Sequence, residues 1–261
     1  MILDEIAAKT VERIQRQKEK VSLAQIQQQA QALPPKTDFP FEQALKKPGI
    51  SFICEVKKAS PSKGVISQSF PYLEIAKEYE QAGADAISVL TEPHYFLGND
   101  RYLQEIASNV QIPVLRKDFV VDSYMIYEAK VLGACAVLLI CSLLTLQQLQ
   151  EYRELCDSLG LSALVEAHTR EEIQMAVDAG ARIIGVNNRN LQTFSVDFSH
   201  SIQLRECIPP QTLFVAESGI QTPRDIRALR DAGADGVLVG ETLMRSQDKK
   251  AMLAHLKSEI A

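Results

Sequence analysis

The chain has 261 residues, 46% of them hydrophobic and 23% charged, with a net charge of −5. That balance suits a protein that buries a full core and excludes a disordered chain. Lysine and arginine are scattered rather than striped, and no apolar run nears the ~20 residues needed to cross a bilayer, so neither a nucleic acid nor a membrane is an expected partner.

At the N-terminus, Ile2, Leu3, Ile6, Val11 and Ile14 recur at roughly helical spacing with charges between them, which predicts an amphipathic helix. The glutamine-rich stretch 25–31 reads as a second helix, ended by Leu33-Pro34-Pro35 because proline withholds backbone donors. Residues 1–48 are therefore an extension of the remainder, 49–261, the two forming one structural domain. The sequence leaves open which end of that domain the extension covers. No basic-then-apolar secretory pattern opens the chain, and a cytoplasmic location is expected.

From residue 50 onward, short apolar runs alternate with helical patterns. The runs fall at 50–57, 86–90, 113–116, 136–141, 162–166, 182–187, 212–217 and 236–240, and a helix fits between each consecutive pair, for example 72–82, 123–132, 146–159, 171–179 and 223–232. Four helices end in a repeated phrase: Ala82-Gly83-Ala84-Asp85, Leu132-Gly133-Ala134-Cys135, Ala179-Gly180-Ala181-Arg182 and Ala232-Gly233-Ala234-Asp235. The glycine supplies a left-handed helix end and the chain turns straight into the next strand. Eight strand-helix units in a chain of this length predict an α/β fold of one kind, the (β/α)8 or TIM barrel, with an N-terminal helical extension.

The five cysteines form no C-x-x-C pair, their number is odd and their spacing irregular, as in a reducing compartment. The four histidines are dispersed, with His168 read as a rim residue in a loop, and no zinc pattern or glycine-rich nucleotide loop occurs. No metal and no cofactor are expected.

In this fold the active site gathers at the C-terminal ends of the strands. The first strand ends in Glu55-Val56-Lys57, and alternation puts Glu55 and Lys57 on one face with Cys54 and Val56 on the other. Lys117 and Asp118 follow the third strand, Glu166 ends the fifth, Asn187 and Arg189 follow the sixth, and Glu217 and Ser218 follow the seventh. Two lysines and three glutamates meeting at one mouth point to acid–base chemistry. Ser218-Gly219-Ile220 and Gly240-Glu241-Thr242 supply tight turns where such barrels hold phosphate through backbone amides.

These segments carry a resemblance to the indole-3-glycerol phosphate synthase family that runs essentially end to end. It rests on Ile2-Leu3-Asp4-Glu5-Ile6, on the block from Glu55 to Gly64 (EVKKASPSKG), and on Leu90-Thr91-Glu92 followed by Tyr95-Phe96. Further matches are Leu115-Arg116-Lys117-Asp118-Phe119, Val165-Glu166, Gly185-Val186-Asn187-Asn188-Arg189-Asn190-Leu191, Ala216-Glu217-Ser218-Gly219-Ile220 and Leu243-Met244-Arg245. The resemblance implies closure of 1-(2-carboxyphenylamino)-1-deoxyribulose 5-phosphate to indole-3-glycerol phosphate, with loss of carbon dioxide and water. It implies Lys117 as the acid at the ketone, Glu166 as the base in dehydration, and Lys57 or Lys117 as the acid for the departing hydroxyl. Glu55 orients Lys57 and binds sugar hydroxyls; Asn187, Ser60 and Arg189 position hydroxyls and anionic ends; Glu217 is catalytic; and Phe96 faces the aromatic ring. Ser218, Gly219, Gly240 and the amide of Glu241 hold phosphate, with the Glu241 carboxylate turned away from the dianion. A monomer is expected. The weighed alternatives are phosphoribosylanthranilate isomerase, which needs a cysteine at the end of the first strand where Cys54 has the wrong parity, and a non-catalytic sugar-phosphate-binding barrel.

Overall fold

In the computed structural model, which describes residues 2–190 and 195–260, eight parallel strands pair in chain order and close on themselves. They are β1 (Ser51–Val56), β2 (Ala86–Leu90), β3 (Val114–Lys117), β4 (Ala136–Ile140), β5 (Ser162–Ala167), β6 (Ile183–Asn187), β7 (Leu213–Glu217) and β8 (Gly236–Val239). Closure is through β1, whose Cys54 faces Ile87 of β2 on one side and Val239 of β8 on the other. The expected barrel is thus the architecture found. Its strand limits differ by a residue or two for local reasons: β3 starts after Pro113, which has no N–H to donate but still accepts from Ile87 N at 3.0 Å. Cys141, expected within the fourth strand, instead opens a 3-10 turn, Cys141–Leu143. Leu191, the last residue of the motif from Gly185, and the terminal Met1 and Ala261 lie outside the described residues.

The chain opens with α1 (Ile2–Lys20), α2 (Leu23–Gln31) and α3 (Pro40–Leu45). Around the barrel run α4 (Tyr72–Gln81), α5 (Asp100–Ala107), α6 (Tyr124–Val131), α7 (Leu146–Leu159), α8 (Arg170–Asp178), α9 (Ser199–Leu204) and α10 (Pro223–Asp231), with α11 (Glu241–Arg245) and α12 (Lys249–Lys257) after β8. The repeated glycine phrase works as the sequence suggests. Gly83, Gly133, Gly180 and Gly233 have φ of 85°, 89°, 76° and 83°. After α4, Gly83 N donates to Glu80 O at 3.0 Å and Ala84 N to Tyr79 O at 2.9 Å, satisfying the last carbonyls of the helix. In the two copies that end in aspartate, that residue then joins the sheet: Asp85 accepts from Phe52 N at 3.0 Å and Asp235 from Phe214 N at 2.7 Å.

Strand alternation divides the core in two. Phe52, Cys54 and Val56 of β1 pack outward against the helices, while Ile53 joins Leu115, Leu138, Leu164, Ile183 and Val215 inside the barrel. The extension reaches both ends of that interior. Helix α3 closes the N-terminal end, where Phe41 and Leu45 plug the barrel and Ser51 Oγ donates to Ala44 O at 2.8 Å. Helix α2, started by a Ser22–Gln25 capping box, lies along α6. Helix α1 crosses the C-terminal end and buries Leu3, Ile6, Thr10 and Ile14. Val11, assigned to the apolar face by its spacing, is 43% exposed. It lies roughly 90° round the helix from the buried stripe. Burying Leu3 and Ile6 contributes about 1.5–3 kcal/mol each, enough to make the first turns of α1 a fixed part of the mouth.

Candidate active site

The innermost charged groups at the mouth are presented by the ends of strands. On β1, Glu55 is buried and its Oε1 lies 2.6 Å from Lys57 Nζ, so the alternation read from the sequence does put both on one face. Burial alone would raise the Glu55 carboxyl, but Lys57 and Lys117 outweigh it and hold the group below the usual carboxylate range. Lys117, the last residue of β3, projects inward with Nζ 3.5 Å from Glu166 Oε2 on β5 and 3.5 Å from Glu217 Oε2 on β7. Burial would depress its ammonium, yet Glu217, Glu166 and Glu55 together hold it well above the lysine range. Asn187, at the end of β6, donates from Nδ2 to Glu166 Oε1 at 3.3 Å and accepts from Arg189 N at 3.0 Å, which turns the chain out of the strand.

Glu217 behaves differently from its neighbours. It is 1% exposed, and desolvation, with the nearby charge of Glu166 and Glu55 added, pushes its carboxyl up to about 8 against the pull of Lys117. It therefore gives up its proton less readily than an ordinary carboxyl.

These groups open on a cavity of about 730 Å³, and every residue singled out from the sequence as catalytic, substrate-binding or phosphate-binding lines it. One wall is apolar, made by Leu3, Ile6, Phe96, Phe119, Leu138 and Ile140. Phe96 and Phe119 lie with ring centroids 5.8 Å apart. Phe96 is placed by Glu92, whose carboxylate accepts from the amides of His94, Tyr95 and Phe96 at 2.8, 2.7 and 3.0 Å and winds the loop after β2 around itself. The opposite wall is polar. Ser218 and Gly219 sit there in left-handed backbone, φ 67° and 80°, and Thr242 Oγ1 donates to Ile220 O at 2.6 Å, fastening the two turns together. The Glu241 carboxylate lines this wall too, held by Arg245 Nε at 3.0 Å, Lys63 Nζ at 3.6 Å and Arg189 Nη2 at 3.7 Å. Burial raises its carboxyl, but Arg245 and Lys63 dominate and keep it ionised.

Several parts of the site had no individual signal in the sequence. Leu3 and Ile6 line the cavity only because α1 folds back over the mouth, and nothing in their spacing fixes that direction. Asp118, which follows Lys117 at the end of the third strand, is turned to other work: both its oxygens lie 2.9 Å from Arg13 Nη2, and it accepts from Thr91 Oγ1 at 2.6 Å and from Phe119 N at 2.8 Å. Asn188 ties the two loops behind the phosphate turn, donating to Ser218 O at 3.1 Å and accepting from Ser201 N at 2.9 Å. Cys54 lies outside the barrel wall, fully buried, with its thiol pushed far up by desolvation, so it takes no part at the mouth. His168 stands in the loop after β5 and contacts His200 rather than the cavity. Among the described residues no cluster of three or more histidine, cysteine or acidic side chains is placed to hold a metal.

Comparison with known proteins bears on the whole chain. A family model described as indole-3-glycerol phosphate synthase matches residues 3–256. The indole-3-glycerol phosphate synthase of Ruminiclostridium cellulolyticum is 57% identical over 98% of this chain and 99% of its own length. That of Endomicrobium trichonymphae is 55% identical over 98% and 100%. Among solved structures, a 3-hexulose-6-phosphate synthase superposes with a TM-score of 0.67 at 15% identity, covering 81% of this chain and all of the other. KGPDC from Streptococcus mutans gives 0.64 at 13% identity over 81% and 97%. At such identities these two speak only for the barrel.

Proposed function

Because the chain belongs to the indole-3-glycerol phosphate synthase family, we propose that the residues at its mouth divide that family's reaction among themselves. The reaction is carboxy-lyase chemistry of tryptophan biosynthesis: ring closure, decarboxylation and dehydration turn 1-(2-carboxyphenylamino)-1-deoxy-D-ribulose 5-phosphate into indole-3-glycerol phosphate. The observation that carries the assignment of roles is Lys117, set 3.5 Å from both Glu166 and Glu217 at the centre of the cavity.

In the first step the aryl carbon bearing the carboxylate bonds to the ribulose ketone carbon, and Lys117 gives a proton to the ketone oxygen as negative charge develops there. The ring nitrogen takes up the positive charge. The bond to the carboxylate then breaks, its electrons restore the aromatic ring, and carbon dioxide leaves. In the last step the hydroxyl departs as water with a proton from Lys57 or Lys117, and Glu166 removes a proton from the ring CH₂ beside the nitrogen. Glu217, its carboxyl raised by burial, stands 3.5 Å from Lys117 Nζ to return the proton that Lys117 gave.

Binding follows the two walls. The apolar side with Phe96 and Phe119 takes the aryl ring, while Glu55, Asn187, Ser60 and Arg189 take hydroxyls and anionic ends. Ser218, Gly219, Gly240 and the Glu241 amide hold phosphate. The site uses no metal or cofactor on this reading, and the protein acts as a cytoplasmic monomer without nucleic acid. All five cysteines are free, and no described helix is long and apolar enough to cross a membrane. Incubation with the carboxyphenylamino deoxyribulose phosphate and detection of indole fluorescence tests the reading. Stoichiometric release of carbon dioxide with the fluorophore supports it; an unchanged spectrum at high enzyme concentration contradicts it.

A further inference from the structure

The inner wall of the barrel is lined by side chains in layers, and β6 breaks the pattern at Gly185. Its φ lies outside the left-handed range, so conformation does not demand glycine there. Space does. Gly185 is in register with Glu166 on one side and Val215 on the other, one layer below Asn187 and Glu217. A Cβ built on it would fall well inside the contact distance of Glu217 Oε1, and 3.2 Å from Leu164 Cδ1. The Glu217 side chain therefore bends down into the barrel and occupies the volume a side chain at 185 would fill. Within that pit its Oε1 is buried without a hydrogen-bond partner, while Oε2 remains 3.5 Å from Lys117 Nζ.

We propose that Gly185 is a positioning residue whose missing side chain is the seat of the Glu217 carboxyl group, fixing that group's place and solvation beside Lys117. The inference rests on the reading of the mouth as an acid–base site and goes beyond it by assigning the layer beneath. The geometry gives a reason for the contrast between the carboxylates. Glu166 and Glu55 have Asn187 and Lys57 within hydrogen-bond reach, whereas one oxygen of Glu217 is pressed against an apolar floor. Desolvation of that kind favours the protonated form, in line with a carboxyl raised to about 8. A methyl group at 185 would lift the carboxyl from the pit. Because the atom displaced is the end of a flexible side chain, the backbone need not move.

The test is a double-mutant cycle of Gly185→Ala and Glu217→Ala, each measured for turnover, Michaelis constant, pH dependence of kcat/KM and thermal unfolding midpoint. Gly185→Ala alone should lower kcat by ~10-fold or more, leave the Michaelis constant within a few-fold, and move the alkaline limb of the pH profile to lower pH. In the Glu217→Ala background the pit is empty, so adding Gly185→Ala should change neither residual turnover nor unfolding midpoint beyond experimental error. This arm keeps the test valid even if the single variant folds poorly, because the double variant should then recover the midpoint of Glu217→Ala. If Gly185→Ala alone keeps wild-type turnover and pH profile, or costs as much in the Glu217→Ala background as in the wild type, the inference is overturned. If Glu217→Ala itself leaves turnover and pH profile unchanged, it is the acid–base reading of Glu217 that fails.

Discussion

Arg13 of the N-terminal helix and Asp118, the residue after Lys117, form a two-oxygen ion pair, with Arg13 Nη2 2.9 Å from each carboxylate oxygen. The Asp118 side chain is fully buried and that of Arg13 is 13% exposed. The pair locks α1 across the barrel mouth at the strand that carries the central lysine. Arg13→Met keeps much of the stem but leaves Asp118 with only Thr91, Arg116 and a backbone amide. Loss of one partner of a buried pair costs ~3–5 kcal/mol. The expected outcome is a markedly lower unfolding midpoint with a raised Michaelis constant, read by urea denaturation and steady-state kinetics.

The same groups set the pH range of stability. Asp118 and Glu55 are each raised by burial but pulled lower overall, Asp118 chiefly by Arg13 and Glu55 chiefly by Lys57. A carboxyl held low in the fold contributes stability in full above its unfolded value of about 4 and loses it as pH falls through the lower folded value. Glu217 has the opposite sign. Raised to about 8, it contributes stability in full below its unfolded value, which drains away as pH climbs toward 8. Denaturation midpoints across the pH range should fall at both ends, and Glu217→Gln should flatten the slope between about pH 5 and 8. A slope identical to wild type would show that Glu217 titrates normally.

Ser218 has φ 67°, a conformation that costs serine and alanine alike, so Ser218→Ala isolates the hydroxyl. One hydrogen bond from a hydroxyl to a charged phosphate is worth ~10-fold or more in affinity. Titration with a phosphate-bearing product analogue should show that weakening, with turnover affected less.

The Glu241 carboxylate now satisfies Arg245, Lys63 and Arg189, three cations that line the cavity together with the phosphate turns. An incoming dianion competes with it for them. Glu241→Gln should therefore tighten inhibition by inorganic phosphate by a few-fold at low salt, an effect that fades as ionic strength rises. Unchanged or weaker inhibition would mean that Glu241 instead organises the cations for binding.

Much of this site was legible because strand alternation is rigid. Once Glu55 and Lys57 are placed inward, Cys54 must face out, and it does. The convergence of Lys117, Glu166 and Glu217 likewise follows from each lying in the last two positions of a strand in a closed parallel barrel. What the sequence withheld were contacts between residues far apart in the chain. Arg13 and Asp118 are 105 positions apart, and no local pattern announces their pairing. Leu3 and Ile6 read as an amphipathic face with no indication of which surface it covers. Gly185 lies in a recognisable motif, yet its meaning depends on the bend of Glu217 two strand positions higher on the neighbouring strand.

The most direct test of the central claim is the kinetics of Lys117→Met, which preserves the length and packing of the stem and removes the ammonium that serves as proton source and as partner of Glu166 and Glu217. If Lys117 protonates the ketone oxygen as the ring closes, kcat should fall by ~10²-fold or more while affinity for a product analogue changes little, since the lost interaction develops only in the transition state. If instead kcat is retained and only the Michaelis constant rises, Lys117 binds substrate, and the acid must be sought at Lys57.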